Sequence, residues 1–207
     1  MAVDINDDNS LNEKAVNLWE KNKKNIIFGL VVFVAIYFSL NFYLSSQNKS
    51  KFLASEIYQK IQLELQEGDI DQYVSTLKND FKNSPYAGRA SLLMAHTFLE
   101  KNKIDAAIDE YDWAVNNSIE GPIKSIALYS MGKLYILKNE LDLAENTANL
   151  ITSKGFDGLK NYLLGDIYAL RKDNVKAKSF YESAFIFYSK KNDLSKVIKT
   201  KIDAIGN

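Results

Sequence analysis

The sequence contains no cysteine. That one absence removes disulfides, thiol catalysis, thiolate metal sites and the acylated cysteine of a lipoprotein. It has one histidine, His96, which reads as structural or weakly binding rather than as a metal ligand or a base. It carries no charge surplus, with 26 basic and 26 acidic residues, so the basic balance that phosphate backbones require is missing. There is no G-x-S-x-G, no phosphate-cradling glycine loop and no H-E-x-x-H. Paired carboxylates such as Asp109 and Asp112 fall on one amphipathic helix surface, where a solvated face explains them. The reading is a protein without catalytic residues, cofactor or metal. With two prolines and nine glycines in 207 residues, little interrupts the backbone, and the abundance of Leu, Ile, Ala, Lys and Glu predicts helices throughout.

Only one long apolar run is present, Ile26 to Leu44, IIFGLVVFVAIYFSLNFYL, and it holds no charge. At the helical rise it covers ~28 Å, close to the hydrocarbon thickness of a bilayer. The run is longer than the apolar core of a signal peptide, and no small-x-small cleavage site follows it cleanly. It therefore reads as a permanent signal anchor in the lipid bilayer. Lys14, Lys21, Lys23 and Lys24 precede it and Lys49, Lys51 and Lys60 follow. The cluster Lys21–Lys24 tips the positive-inside balance towards a cytoplasmic N-terminus, leaving the bulk of the chain outside. Residues 1–9 read as disordered, and Ser10-Leu11-Asn12-Glu13 has the form of a capping box starting a short amphipathic helix with Trp19 at the headgroups. Within the span, Ala35 and Ser39 make a small-xxx-small pair and Asn41 adds a polar group, candidate contacts for a partner helix. The expected division is 1–25 cytoplasmic tail, 26–44 anchor, 45–51 linker and 52–207 exported domain.

After the anchor a pattern repeats. Met94-Ala95, Phe98, Ala107, Tyr111 and Ala114 recur as Met131-Gly132, Tyr135, Ala144, Ala148 and Ile151, then as Leu164-Gly165, Tyr168, Ala177, Tyr181 and Ala184, offset by 37 and 33 residues. The turns between the two helices of each unit, KNKID, KNELD and RKDNV, also resemble one another. This is the tetratricopeptide spacing, one helical hairpin per ~34 residues. The small residues are expected where the two helices cross. A degenerate unit (Ile61, Glu64, Tyr73, Leu77, Pro85) precedes these. A last helix from Asp193 carries an apolar stripe, Leu194, Val197, Ile198, Ile202 and Ile205, to cover the open end. The expected fold is all-α: one transmembrane helix, then a tetratricopeptide solenoid with a capping helix.

In this register the first helices place Arg89, Leu92, His96, Tyr129, Lys133, Tyr162 and Asp166 in a groove. Tyr, Arg and Leu suit recognition of a peptide or partner helix; equally, Leu92 and the tyrosines fit as packing between repeats. The second helix of the first full repeat gathers Asp105, Asp109, Glu110 and Asp112 without a basic residue. Arg171 to Lys201 holds nine basic residues against three acidic ones. Phe180, Tyr181, Phe185, Phe187 and Tyr188 crowd one helix, more than the terminal helix needs.

The tail, the anchor, NDFKNSPYAGRASLLMA, LEKNKIDAAIDEYDWAV and GFDGLKNYLLGDIYALRKDNVKAKSFYESA together resemble the YfgM-type ancillary subunits of the SecYEG translocon. The resemblance implies a single-pass protein of the bacterial inner membrane with a periplasmic repeat domain. It also implies association with the translocon and with a membrane-anchored periplasmic chaperone of the prolyl-isomerase-like type, in the export of periplasmic and outer-membrane proteins. It brings no catalytic residues. A membrane-anchored adaptor in another envelope assembly or division complex is the alternative, one that faces the cytoplasm.

Overall fold

A computed structural model describes the backbone of residues 5–65, 69–188 and 193–205, with side chains from Glu13 onward within those ranges. The described residues are helices and short turns, without a strand. The chain divides into two units, Met1–Lys49 and Ser50–Asn207.

The described residues of the first unit, 5–49, lie within α1 (Ile5–Glu64). Helix begins before Ser10, so the expected capping box is interior helix rather than a start; of residues 1–9, expected to be disordered, 5–9 are helical and 1–4 lie outside the described residues. Residues 45–51, read above as a linker, are helical as well. The physical reason is visible in the residues: Ser45 to Lys51 is polar but holds neither Gly nor Pro, and polarity alone does not stop a helix. No residue of the apolar window is buried among the described residues; Phe28, Phe33, Phe38 and Phe42 are exposed around the helix. Asn41 donates its side-chain amide to the Tyr37 carbonyl at 2.9 Å. Two residues separate Ser39 from Asn41, ~200° around a helix, so the small pair and the amide face different directions.

In the second unit the end of α1 is the first helix of the degenerate hairpin. Ala54 and Ile61 are fully buried with Val74 and Leu77 of α2 (Asp71–Asp80) and Ala87, Ala90 and Met94 of α3 (Pro85–Glu100). Pro85 opens α3, where its missing N–H costs nothing. Three full hairpins follow: α3 with α4 (Ile104–Asn117), α5 (Gly121–Leu137) with α6 (Leu141–Asn149), and α7 (Asp157–Leu170) with α8 (Asn174–Tyr188). Their cores are the repeating positions read from the sequence. Ala95, Ala107, Ala114, Ala144, Ala148, Ala177 and Ala184 are all without exposure.

The three hairpin turns are built alike. Asn102, Asn139 and Lys172 take left-handed backbone angles, φ 56°, 60° and 61°. The N–H of the following residue then reaches back to Phe98, Tyr135 and Tyr168 respectively, at 2.8, 2.8 and 3.0 Å. This ties off the open carbonyls of each first helix and reverses the chain. The second repeat departs from the pattern because α6 stops at Asn149. Ile151, at the position of Ala114 and Ala184, is buried beyond the helix end, and Gly155 at φ 95° turns the chain into α7.

The glycines are tight, and a Cβ at Gly132 would stand 3.7 Å from the carbonyl oxygen of Ala144 on the helix opposite. A side chain at Gly132 would strike Leu163 of the next repeat at 2.6 Å, and one at Gly165 would strike the Tyr181 ring at 2.4 Å. The bare helix surface therefore accepts a large side chain from a neighbouring helix. Helix α9 (Asp193–Ile205) closes the array: Ile198 is fully buried, and Leu194, Ile202 and Ile205, like Tyr162, Phe185 and Tyr188, pack against the cluster it forms with Ala177, Tyr181 and Ala184. Val197 is 47% exposed and does not join the expected stripe, which is one residue narrower.

Candidate partner-binding face

The side chains expected in the groove lie on α3, α5 and α7, and the repeat sets them in rows: Leu92, Tyr129 and Tyr162 in one, His96, Lys133 and Asp166 in the next. Arg89 does not stand free. Its guanidinium forks onto the Glu120 carboxylate, Nε to Oε2 at 2.8 Å and Nη2 to Oε1 at 2.7 Å, joining α3 to the start of α5. The bond to Glu120 outweighs burial and raises the Arg89 pKa above its ordinary value. Leu92 is half-buried on the core of Ala95, Leu128 and Met131. His96 is exposed, with Nδ1 3.4 Å from the Glu100 carboxylate.

Tyr129 packs into the cores on both sides of α5. Burial, then the neighbouring Tyr162, Asp166 and Tyr188, pushes its phenol far above the ordinary tyrosine value. The Lys133 ammonium stands 5.8 Å from the Tyr129 ring centre, and among the described residues no carboxylate pairs with it. Tyr162 lies 6.1 Å from the Tyr181 ring, tilted. Asp166 accepts the Tyr181 hydroxyl at 2.6 Å and the Lys201 ammonium.

Lys201 is the member of this face that sequence reasoning missed. It comes from α9, and its ammonium lies 4.7 Å from the Tyr162 ring centre and 5.6 Å from that of Tyr181. Burial opposes its charge, but hydrogen bonds to Asp166 and Tyr162 prevail, and its pKa is raised. Together Ile136, Asp166, Ala169, Leu170, Tyr181 and Lys201 line a pocket of 310 Å³. No spacing signal points to a lysine on the terminal helix. Ile136 and Ala169, by contrast, share one register position, and a repeat alignment extended by one helical turn finds them.

The two uneven charge distributions are met in part by pairing within the chain. Glu110 holds Lys78 at 2.8 and 2.9 Å and the buried Ser91 hydroxyl at 2.6 Å. Asp105 holds Lys138 at 2.9 Å, and Asp112 holds the Asn116 amide at 2.9 Å. On the basic side, Arg171 pairs with Asp142 and Glu145, Lys176 with Asp173 and Lys196 with Asp193. Lys190 and Lys191 lie outside the described residues. Of the crowded aromatics, Phe180 stacks on Tyr168 at 5.4 Å and Tyr181 is buried, whereas Phe187 remains half exposed.

Residues 17–207 match the family described as tetratricopeptide repeat-like domain. The chain belongs to this family. It is also similar to proteins named ancillary SecYEG translocon subunit. The relative from Haemophilus influenzae is 26% identical over 190 residues, 89% of this chain and 91% of its own. That from Buchnera aphidicola is 25% identical over 195 residues, 89% and 96%. That from Escherichia coli K12 is 22% identical over 172 residues, 83% and 84%. Among the described residues the fold is helical throughout, with one N-terminal helix long and apolar enough to cross a membrane.

Proposed function

We propose that this chain is a non-enzymatic accessory subunit of the SecYEG translocon in the bacterial inner membrane. The observation that carries the reading is similarity along nearly the whole chain, anchor and repeats together, to relatives bearing that name. Residues 26–44 are the anchor, residues 1–25 the cytoplasmic tail and residues 52–207 the periplasmic domain; the lysines before the span support this orientation. Ala35 and Ser39 on one side of the anchor, and Asn41 on another, are the surfaces for neighbouring membrane helices. The repeat face of Leu92, His96, Tyr129, Lys133, Tyr162 and Asp166, with Arg89 bracing its edge, links the translocon to a membrane-anchored periplasmic chaperone of the prolyl-isomerase-like type. Proteins emerging from the channel are handed on there. Purification of the tagged chain in mild detergent is expected to bring down channel subunits and such a chaperone; recovery of neither overturns the reading. A reporter fused after Asn207 is expected to work only when exported, and activity in the cytoplasm would reverse the topology.

A further inference from the structure

At the turn-side end of the repeat face, α5 and α7 each finish with an apolar residue followed by leucine, Ile136-Leu137 and Ala169-Leu170, 33 positions apart. Leu137 is 68% exposed and Leu170 54%. Ile136, Ala169 and Leu170 line the 310 Å³ pocket together with Tyr181 and the paired Asp166 and Lys201. That volume lies at the low end of the ~300–1,000 Å³ over which pockets enclose small molecules, and this pocket opens beside two exposed leucines. A side chain projecting from a partner fits better than an enclosed ligand. In the first repeat the position of Leu137 and Leu170 is Glu100, exposed and beside His96, so the apolar strip ends there.

Charge selects the partner. Around the strip Asp166 is matched by Lys201, Arg171 by Asp142 and Glu145, and Lys138 by Asp105 and Glu140. Lys133 and Lys172 remain, and among the described residues neither has a carboxylate in pairing range. Lys133 lies one turn before Leu137, and Lys172 two residues after Leu170. The strip is thus apolar, flanked by two uncompensated cations. We infer that it docks an acidic amphipathic helix of a partner protein. Such a helix places one apolar side chain in the pocket, lays another across Leu137 and sets carboxylates against Lys133 and Lys172. This deepens the proposed function, since it rests on the repeat face being the recognition surface and names the chemistry recognised.

The test uses the full chain in lipid nanodiscs and two fluorescent helical peptides. One has leucines at i, i+4 and i+7 with glutamates on the flanking positions; the other replaces every glutamate by lysine. The acidic peptide is expected to bind about tenfold more tightly than the basic one. Lys133→Glu is expected to abolish or invert the preference, and Leu137→Ser with Leu170→Ser to weaken both peptides, with the melting temperature unchanged because both leucines are exposed. Equal affinity for the two peptides, binding of neither, or indifference to the three substitutions overturns the inference. So does a dimer of the chain that disperses on replacing the leucines, which would give the strip to a second copy. Co-purification with SecYEG is measured on the same variants. Loss of it in the unmodified chain sinks the proposed function, whereas its persistence without peptide discrimination sinks the docking inference alone.

Discussion

Glu145 on α6 accepts hydrogen bonds from the Tyr168 hydroxyl and the Arg171 guanidinium of the next repeat. These two bonds, working against burial, hold its carboxyl below the ordinary value. A carboxyl depressed in the folded state stabilises the protein above its unfolded pKa, about 4.3, and that contribution is lost as pH falls through the lower folded value. Glu145→Gln is therefore expected to lower the melting temperature at neutral pH and to give a flatter stability profile below pH ~5. A variant whose profile parallels that of the unmodified chain would show that the pair carries no pH-linked stability. Gly165 tests packing at the same scale. Replacing Gly by Ala inside a helix gains up to ~1 kcal/mol of propensity, but here the new methyl meets a Tyr181 ring that is 2% exposed and tied to Asp166. The ring has nowhere to go, so overpacking of about 1–3 kcal/mol decides the sign. Gly165→Ala is expected to destabilise and Gly165→Leu more so, by circular dichroism melts. The paired change Tyr129→Ala and Tyr162→Ala separates groove from core in the same assay. Both rings are half-buried, and damage equal to that of Gly165→Leu would make them core.

At the scale of the element, the hairpin turns hold the same lesson three times. Asn102 and Asn139 tolerate the left-handed region, whereas Lys172 has no side-chain device for it. Removing its Cβ relieves about 1–2 kcal/mol of strain and costs about 0.5–1 kcal/mol in backbone entropy. Lys172→Gly is expected to gain roughly 0.5–1 kcal/mol in urea unfolding, more than Asn102→Gly or Asn139→Gly; a loss would mean the lysine side chain anchors the turn. These hairpins were legible in the sequence because fixed spacing places each small residue and each turn, and local chemistry enforces both. The length of α1 was not legible. Ser45 to Lys51 has turn-like polarity without a residue that forbids helix, and ending a helix takes such a residue or a cap. Of the candidate site, the rows on α3, α5 and α7 followed from the register. Two features did not: Arg89 bound to Glu120, and Lys201 on Asp166. Both arise between helices brought together only by stacking, where no sequence period reports which charged groups meet.

For the whole molecule, the decisive property is that each repeat touches its neighbours and little else, so stability is close to a sum of adjacent interfaces. Among the described residues four apolar clusters follow one another from Ala54 to Ile205, sharing members such as Phe98, Tyr129 and Tyr135 at their borders. Helix α9 contributes only to the last of them. Ending the chain after Tyr188 removes the fully buried Ile198, uncovers Tyr162 and Tyr181, and leaves Asp166 without its lysine. The damage belongs to α7 and α8. Amide hydrogen exchange on the truncated chain is therefore expected to speed up in Asp157–Leu170 and Asn174–Tyr188, by about a factor of ten for each 1.4 kcal/mol of local stability lost. Exchange in Pro85–Glu100 and Ile104–Asn117, two repeats away, should stay as in the full chain. Uniform acceleration across all repeats would show that the array unfolds as one unit, and α9 would then be a keystone of the whole domain rather than a lid on its last repeat.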